Sequence, residues 1–234
     1  MSEFTVYPDR ESLAQAGAAC FVELAAEAIA QRGCCLVALA SGDVPRAAYV
    51  QLVQEPLVSR VAWEHVHVFW TDEHAVPPDH PDSNYRRVRE ALLDHVAIPA
   101  ENVHRIKGEV VPDWASSSYE TELLTVLGSG GRFDAVFLGL GVDGHTASLY
   151  PDTTLLEEEN YLVDAVHLGP QLGWRVSMTP PLINAARAVV FLVSGADKAP
   201  AVARIRAGES LPAALLRPTD GQLVWMVDRA AAGE

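Results

Sequence analysis

The chain has 234 residues, of which 49% are hydrophobic, so it is long and apolar enough to bury a sizeable core. We expect residues 1–234 to form a single domain. Its 31 acidic residues against 17 basic ones give a formal net charge of −14. This charge would repel nucleic acid phosphates and anionic lipid headgroups, which argues against a nucleic-acid or membrane partner.

The three cysteines are odd in number and include an adjacent pair, Cys34 and Cys35, so they do not suggest a disulfide framework. The first residues carry acids rather than a basic stretch followed by an apolar run. We therefore expect a cytoplasmic protein. We also expect it to be a monomer or a small homo-oligomer.

Short apolar runs alternate along the chain with longer stretches of helical period, which is typical of an α/β protein with a mainly parallel sheet. The predicted strands are Cys34–Leu39, Val66–Trp70, Ala135–Leu140, Ala188–Val193 and Leu223–Val227. Two further segments, Leu162–His167 and Arg175–Met178, are predicted as additional, antiparallel strands. The fold class is an open, Rossmann-like sheet with helices on both faces.

The predicted helices begin at recognisable capping residues and first-turn prolines. They are Glu11–Gln31 after Asp9, a helix with Pro45 in its first turn, Ser83–His95, Ser118–Leu127, a helix beginning at Thr179 and Pro180, and Ala196–Ala207. We expect Val110–Ser118 and Asp152–Asn160 to be surface loops.

Polar residues follow four of the predicted strands at the point where each strand ends. The four segments read ASGDVP, TDEHAVPPDHPDSNY, GVDGHTAS and SGADK. The carboxyl ends of parallel strands share one edge of a sheet, where ligands bind near a switch in strand order. These loops are therefore predicted to converge on one pocket.

The segment GLGVDGHTASLYP, residues 139–151, has the composition of a site for proton transfer. Its glycines allow a tight turn out of the strand, and a helix beginning at Thr146 would leave backbone N–H groups near Asp143 to hold an anion. Imidazole is the side chain best suited to proton transfer near neutrality, which makes His145 the candidate base, and Asp143 can accept a hydrogen bond from its ring. A plain glycine-rich connection would explain the glycine spacing equally well.

No GxSxG motif is present and the cysteines lie outside the polar loops, so activation of water is favoured over covalent catalysis. The alternating histidines His65 and His67, near the acidic DEH segment, raise the alternative of a metal site. We expect no metal, because these histidines lie early in the strand and the acids lie at its far end.

Three long segments resemble the 6-phosphogluconolactonases, and they occur in that family's order and spacing. They are TDEHAVPPDHPDSNY (residues 71–85), GLGVDGHTASLYP (residues 139–151) and RVSMTPPLINAARAVVFLVSGADKAPAV (residues 175–202). The resemblance implies a fold related to the glucosamine-6-phosphate deaminases. It also implies hydrolysis of 6-phosphogluconolactone, in the oxidative pentose phosphate pathway, without a metal or cofactor.

The resemblance also implies roles for individual residues. His145 would be the general base that activates water, with Asp143 beside it, and the glycine turns would offer backbone donors to the oxyanion. Of the adjacent acids, one is expected to bind the sugar or orient the site and the other to be structural. The residues expected to bind substrate are Ser41, Gly42, Asp72, Glu73, His74, Arg87, Gly141, Gly144, Arg175 and Lys198.

Two departures from the family pattern affect phosphate recognition. The first loop of the family usually reads like SGGSTP, whereas here Asp43 and Val44 replace two hydroxyl-bearing residues. A carboxylate close to a phosphate repels it, so Asp43 must point away or be neutralised by Arg46, Arg86 or Arg87. The second departure is His74, where the family commonly has arginine or lysine; Arg86 or Arg87 is the expected replacement.

Two other functions compete with lactone hydrolysis. The related deaminases isomerise and deaminate glucosamine 6-phosphate, but they continue after the DGH motif with a sequence like IAFNEP, and this chain has TASLYP instead. A sugar-phosphate-binding regulator without catalysis usually carries a DNA-binding segment, for which we see no spare length in this acidic chain. A catalytically silent variant with Asp43 and His74 stays an open alternative.

Overall fold

A seven-stranded parallel sheet forms the centre of the computed structural model, which describes residues 4–128 and 130–234. The strands are β1 (Phe4–Tyr7), β2 (Cys35–Leu39), β3 (Val66–Trp70), β4 (Asp72–His74), β5 (Val103–His104), β6 (Ala135–Leu138), β7 (Val163–His167), β8 (Trp174–Met178), β9 (Ala188–Val193) and β10 (Gln222–Asp228). The order in the main sheet is β1-β10-β9-β6-β2-β3-β5, with every pairing parallel. The predicted α/β class with a mainly parallel sheet is confirmed.

The strand order reverses between β2 and β6. From β2 the chain adds β3 and β5 on one side, and it later adds β6, β9 and β10 on the other side. The loops that follow β2 and β6 therefore leave from neighbouring strands, which pair through Val37 and Ala135, Ala38 and Val136, and Leu39 and Phe137. A crevice at such a switch point is the usual ligand site of an open α/β sheet.

A small antiparallel sheet, in the order β4-β8-β7, extends from this edge. The predicted antiparallel strands are β7 and β8. The segment Asp72–His74 is itself a short strand, β4, whose register sets His74 opposite Arg175. This strand is not predictable from the sequence, because three polar residues carry no apolar alternation.

The helices are α1 (Arg10–Arg32), α2 (Asp43–Leu52), α3 (Asn84–Ala91), α4 (Pro112–Leu127), α5 (Gly169–Leu172), α6 (Pro180–Asn184), α7 (Ala199–Arg206), α8 (Pro212–Leu215) and α9 (Arg229–Ala232). Asp9 caps α1 by accepting a hydrogen bond from the Ser12 backbone N–H at 2.8 Å. Ser83 caps α3 in the same way, through the backbone N–H of Arg86 at 3.2 Å. These caps explain why both helices begin where the sequence predicted.

Two predictions of local structure are wrong. Residues 112–118 belong to α4 rather than to a surface loop, because Pro112 starts the helix and Ala115 and Tyr119 are buried. Residues 146–149 form no helix: Ala147 has a φ of 47°, and Thr146 and Leu149 form an isolated β-bridge. The edge strands β1 and β5 were also missed, since they are only four and two residues long.

The core lies on the parallel sheet. Strand β9 is buried over its whole length, as expected for a strand covered on both faces. Helix α1 is long and apolar enough to cross a membrane by length and composition alone, with a mean hydropathy of 1.4. Its buried residues, among them Leu13 and Phe21, belong to the same core cluster as the strands. We therefore assign α1 as a core helix.

Candidate active site

A cavity of about 430 Å³ lies at the carboxyl edge of the parallel sheet. The loops after β2, β6 and β9 contribute to its wall, together with strands β4 and β8 and the first residue of α1. The predicted residues that line it are Ser41, Gly42, Asp72, His74, Arg87, Gly141, His145, Arg175 and Lys198. Three others, Glu73, Asp143 and Gly144, are not among its lining residues.

His145 is held by Asp143 in the turn that follows β6. The Asp143 carboxylate accepts hydrogen bonds from the His145 backbone N–H at 3.0 Å and from the ring Nδ1 at 2.6 Å. Partial burial by itself would raise the pKa of Asp143, but these hydrogen bonds outweigh it and the pKa is lowered. When Nδ1 donates to this carboxylate, Nε2 is left as the proton acceptor of the ring.

Tyr150 packs on the opposite side of this histidine. The two rings are stacked, with centroids 3.9 Å apart and planes 17° from parallel. Tyr150 also lines the cavity. Burial raises the pKa of its hydroxyl, while the nearby charge of Arg175 lowers it. The imidazole is therefore fixed by a hydrogen bond on one edge and by an aromatic face.

Gly141 and Gly144 shape this turn but do not offer the expected N–H donors. The Gly141 N–H donates to the His145 carbonyl at 2.8 Å, and the Gly144 N–H donates to the Gly141 carbonyl at 3.0 Å. A Cβ on Gly141 would lie 2.0 Å from the His145 Nδ1, and Gly144 has a φ of 87°. These glycines are needed for close approach and for the left-handed backbone, so a role as oxyanion donors is corrected.

The adjacent acids have different surroundings. Asp72 faces the cavity, and its carboxylate accepts hydrogen bonds from the hydroxyls of Thr71 at 3.1 Å and Ser148 at 2.8 Å. Glu73 is only 2% exposed and points away from it, toward the start of α3. One acid therefore faces the site and the other is structural, so the assignment of Glu73 to substrate binding is corrected.

Glu73 joins β4 to α3 through four hydrogen bonds. Its carboxylate accepts from the backbone N–H groups of His74 at 2.8 Å, Asn84 at 2.7 Å and Tyr85 at 2.8 Å, and from the Ser83 hydroxyl at 3.1 Å. Burial raises the pKa of Glu73 to about 7, although these backbone donors lower it. The side chain thus satisfies backbone groups at the first turn of the helix.

His74 and Arg175 face each other across β4 and β8. The pKa of His74 is lowered to about 4, mainly by burial. The positive charges of Arg175 and Arg87 also lower it, and the negative charges of two nearby aspartates, Asp72 and Asp82, partly offset this. His74 is therefore neutral near pH 7. Arg175 is only 7% exposed, and its guanidinium donates to the carbonyls of the preceding chain. Arg175 therefore places a positive charge in the cavity wall, whereas the neutral His74 beside it does not.

Two further basic residues, Lys198 and Arg87, line the cavity. Lys198 follows β9, and its Nζ lies 3.3 Å from the Asp197 carboxylate. Arg86 is turned away instead, because it pairs with Glu90 at 2.7 Å. Of the two arginines considered as replacements at His74, Arg87 is the one that reaches the cavity.

Asp43 sits at the first turn of α2 with its side chain 71% exposed, and it lies 3.8 Å from Arg46. Solvent screens the repulsion that it would exert on a phosphate, and its exposed pair with Arg46 adds little to this screening. His67 does not join the acids of the DEH segment, since its Nδ1 lies 3.1 Å from the Nε2 of His104.

Sequence reasoning missed several residues of the cavity wall. Arg10 lines it because α1 begins just after β1, an edge strand too short to be recognised. Asn84 joins two predicted segments: it accepts from the Ser41 hydroxyl at 2.5 Å and donates to the Asp72 carbonyl at 2.8 Å. Recognition of β1 as a parallel strand would have pointed to Arg10, since polar groups follow the other strands at this edge.

Comparison with known proteins gives a consistent family match. Residues 8–225 match the model of the family described as glucosamine-6-phosphate isomerases/6-phosphogluconolactonase. The chain is 40% identical over 232 residues to a 6-phosphogluconolactonase of Synechocystis sp., and the match covers 95% of this chain and 94% of that relative.

Solved structures extend the likeness to the fold. A 6-phosphogluconolactonase from Thermotoga maritima matches with a TM-score of 0.87 and 26% identity, over 97% of this chain and 100% of that chain. A monomeric glucosamine-6-phosphate deaminase matches with a TM-score of 0.85 over 100% and 99% of the two chains, at 21% identity. At that identity the second likeness shows the fold alone, and the predicted relation to the deaminase fold is confirmed.

Proposed function

We propose that this chain, which belongs to the glucosamine-6-phosphate isomerase/6-phosphogluconolactonase family, hydrolyses 6-phospho-D-glucono-1,5-lactone to 6-phosphogluconate. This reaction belongs to the oxidative pentose phosphate pathway. The observation that carries the proposal is the pair formed by His145 and Asp143, 2.6 Å apart, at a cavity on the switch point of the sheet. A carboxylate-oriented imidazole is suited to proton transfer near neutrality.

His145 is the general base of the proposed mechanism. Its Nε2 accepts a proton from a water molecule as the water oxygen attacks the lactone carbonyl carbon. The tetrahedral intermediate then collapses with cleavage of the bond between that carbon and the ring oxygen, and the imidazolium returns the proton to the departing oxygen. Asp143 orients the ring and stabilises its transient positive charge, and Asp72 is available to bind sugar hydroxyls.

The phosphate is recognised by the basic residues of the cavity. Arg87, Arg175 and Lys198 line it, and Ser41 and Gly42 form the loop between β2 and α2. A guanidinium binds phosphate through paired hydrogen bonds, while an ammonium acts as a point charge. Neutral His74 adds a hydrogen-bonding group to this wall but no charge.

The first test compares acid release from freshly prepared 6-phosphogluconolactone by the wild-type protein and by His145→Ala, corrected for spontaneous ring opening. We expect the substitution to lower kcat by about a hundredfold or more, because general base catalysis contributes this much. Gluconolactone serves as the comparison substrate without phosphate. Far-UV circular dichroism of both proteins controls for folding.

The outcomes separate the competing functions. Equal rates for both proteins at the spontaneous level would contradict lactone hydrolysis. Glucosamine 6-phosphate is then the next substrate to assay, with ammonia release as the signal. Binding of sugar phosphates without turnover of either substrate would favour a non-catalytic regulator.

The proposal also covers the domain organisation, the cellular compartment and the cofactor requirement of the enzyme. Residues 1–234 act as a single domain, which is supported by one cluster of buried residues that includes members of both sheets, such as Val176 and Val190. The enzyme works in the cytoplasm as a monomer or small homo-oligomer, on a small sugar phosphate rather than on nucleic acid or a membrane. It uses no metal or cofactor, since water, His145 and the substrate suffice for the steps above.

A further inference from the structure

We propose that Arg10 binds the phosphate group of the substrate and so contributes to selection of phosphorylated over unphosphorylated lactones. This inference rests on the proposed function for the identity of the substrate, and the choice of Arg10 rests on its position in the cavity wall. Arg10 is the first residue of α1, and it lines the same cavity as Lys198 and His145.

The position of Arg10 is set by the loop between β2 and α2. One Nη of its guanidinium donates a hydrogen bond to the Asp43 carbonyl at 3.0 Å. This contact joins the start of α1 to the loop that contains Ser41 and Gly42, which also lines the cavity. Arg10 is exposed, and this contact tethers its guanidinium at the cavity wall.

The charge of Arg10 is uncompensated by contacts within the described residues. No carboxylate of residues 4–128 or 130–234 lies within 4.0 Å of its guanidinium, whereas Arg46 and Arg86 each have an acidic partner at 3.8 Å and 2.7 Å. A guanidinium has five N–H donors, and the contact with Asp43 uses one of them. The remaining donors are suited to a phosphate, which accepts them in pairs.

The side chains of the loop beside Arg10 offer a phosphate no positive charge and few hydrogen-bond donors. Its side chains from Ala40 to Val44 include one hydroxyl, that of Ser41, which donates to Asn84 at 2.5 Å. The other polar side chain is the Asp43 carboxylate, which repels an anion. Arg10 supplies at this place both the positive charge and the hydrogen-bond donors that the side chains of the loop do not offer.

The test measures the hydrolysis of 6-phosphogluconolactone and gluconolactone by wild type, Arg10→Ala and Arg10→Lys. We expect Arg10→Ala to lower kcat/KM for the phosphorylated lactone about tenfold or more, mainly through KM, because charge-assisted hydrogen bonds are lost. The kcat/KM of Arg10→Ala for gluconolactone should stay within about twofold of the wild-type value. Arg10→Lys should recover part of the loss, since it keeps the charge but not the paired donors.

Arg46→Ala is the matched control. It removes the same charge next to the same loop, but Arg46 lines a neighbouring cavity rather than this one. We expect it to change kcat/KM for either lactone by less than about twofold, because its ion pair with Asp43 is exposed. A loss equal to that of Arg10→Ala would mean that general electrostatics, rather than contact by Arg10, accounts for the effect.

A second measurement does not depend on turnover. Calorimetric titration with inorganic phosphate should show about tenfold weaker binding to Arg10→Ala than to wild type and Arg46→Ala. An equal loss of activity on both lactones with unchanged phosphate affinity would overturn the proposal, since Arg10 would then only clasp the loop. Absence of hydrolysis by the wild type would contradict the proposed function, while the titration would still decide the role of Arg10.

Discussion

His145 is restrained from two directions, and the two restraints do different things. Asp143 fixes the tautomer, because its carboxylate accepts from Nδ1 at 2.6 Å. Tyr150 fixes the plane of the ring by stacking on it at 3.9 Å. A general base that is already oriented needs less reorganisation when the substrate binds.

We expect Tyr150→Leu to lower kcat for 6-phosphogluconolactone by about tenfold while leaving the protein folded, because the imidazole loses the aromatic face that holds its plane. Tyr150→Phe keeps the ring and should stay within about threefold of wild type. The measurement is kcat over pH 5 to 9 for all three proteins. Equal losses for the leucine and phenylalanine variants would instead assign the effect to the hydroxyl.

At the scale of the element, the acidic pair of β4 divides its work between the cavity and α3. Asp72 keeps its carboxylate at the cavity, where the hydroxyls of Thr71 and Ser148 orient it. Glu73 turns to the opposite side and receives three backbone N–H groups and a hydroxyl. Alternation along a strand explains how adjacent residues reach opposite sides.

This division predicts opposite effects of two alanine substitutions. We expect Glu73→Ala to lower the free energy of unfolding by about 3 kcal/mol, because it leaves buried N–H groups at the start of α3 without an acceptor. Asp72→Ala should cost less, about 1 to 2 kcal/mol, because it removes two hydroxyl contacts and no backbone N–H contact, but it should reduce kcat/KM for the lactone strongly. Urea denaturation and lactone kinetics of both variants check this. Equal destabilisation by the two would contradict the division.

At the scale of the whole molecule, pH couples the site to stability through His74. Its pKa is lowered from 6.5 to about 4 in the folded state, mainly by burial. Between these values the unfolded chain binds a proton that the folded protein does not. Stability from this group is therefore fully present above pH 6.5 and is lost as the pH falls toward 4.

We predict that His74→Gln loses less stability than wild type on acidification. Between pH 7 and 4.5 the wild type should lose about 1 to 2 kcal/mol more of its free energy of unfolding than His74→Gln does. This value is reduced to allow for the exposed part of the ring. Urea unfolding at pH 7, 5.5 and 4.5 measures it, and His65→Gln on an exposed surface is the control. Parallel curves for wild type and His74→Gln would rule out this contribution.

The distribution of charge is also a property of the whole molecule. The chain has a formal net charge of −14, yet four basic residues line the cavity: Arg10, Arg87, Arg175 and Lys198. The three acids of the wall are Asp43, Asp72 and Asp197. The cavity is thus less acidic than the chain as a whole, as binding of an anionic substrate requires.

The central strands, the parallel class of the sheet and the edge where the polar loops meet could all be predicted from the sequence. These follow from local patterns: apolar runs for buried strands, caps and prolines for helix starts, and glycine with polar residues at strand ends. Asp143 and His145 belong to this group as well, because they are two residues apart and their contact is formed within one turn.

The three-dimensional fold determines which polar groups face the cavity and which already form hydrogen bonds within the protein. The N–H groups of Gly141 and Gly144 are consumed within their own turn, and the Glu73 carboxylate is consumed by α3. Arg10 reaches the site because the short strand β1 ends at the same edge as the long ones. The physical reason is that an N–H group donates to one acceptor at a time, and the folded turn or the packing of segments distant in sequence determines which acceptor that is.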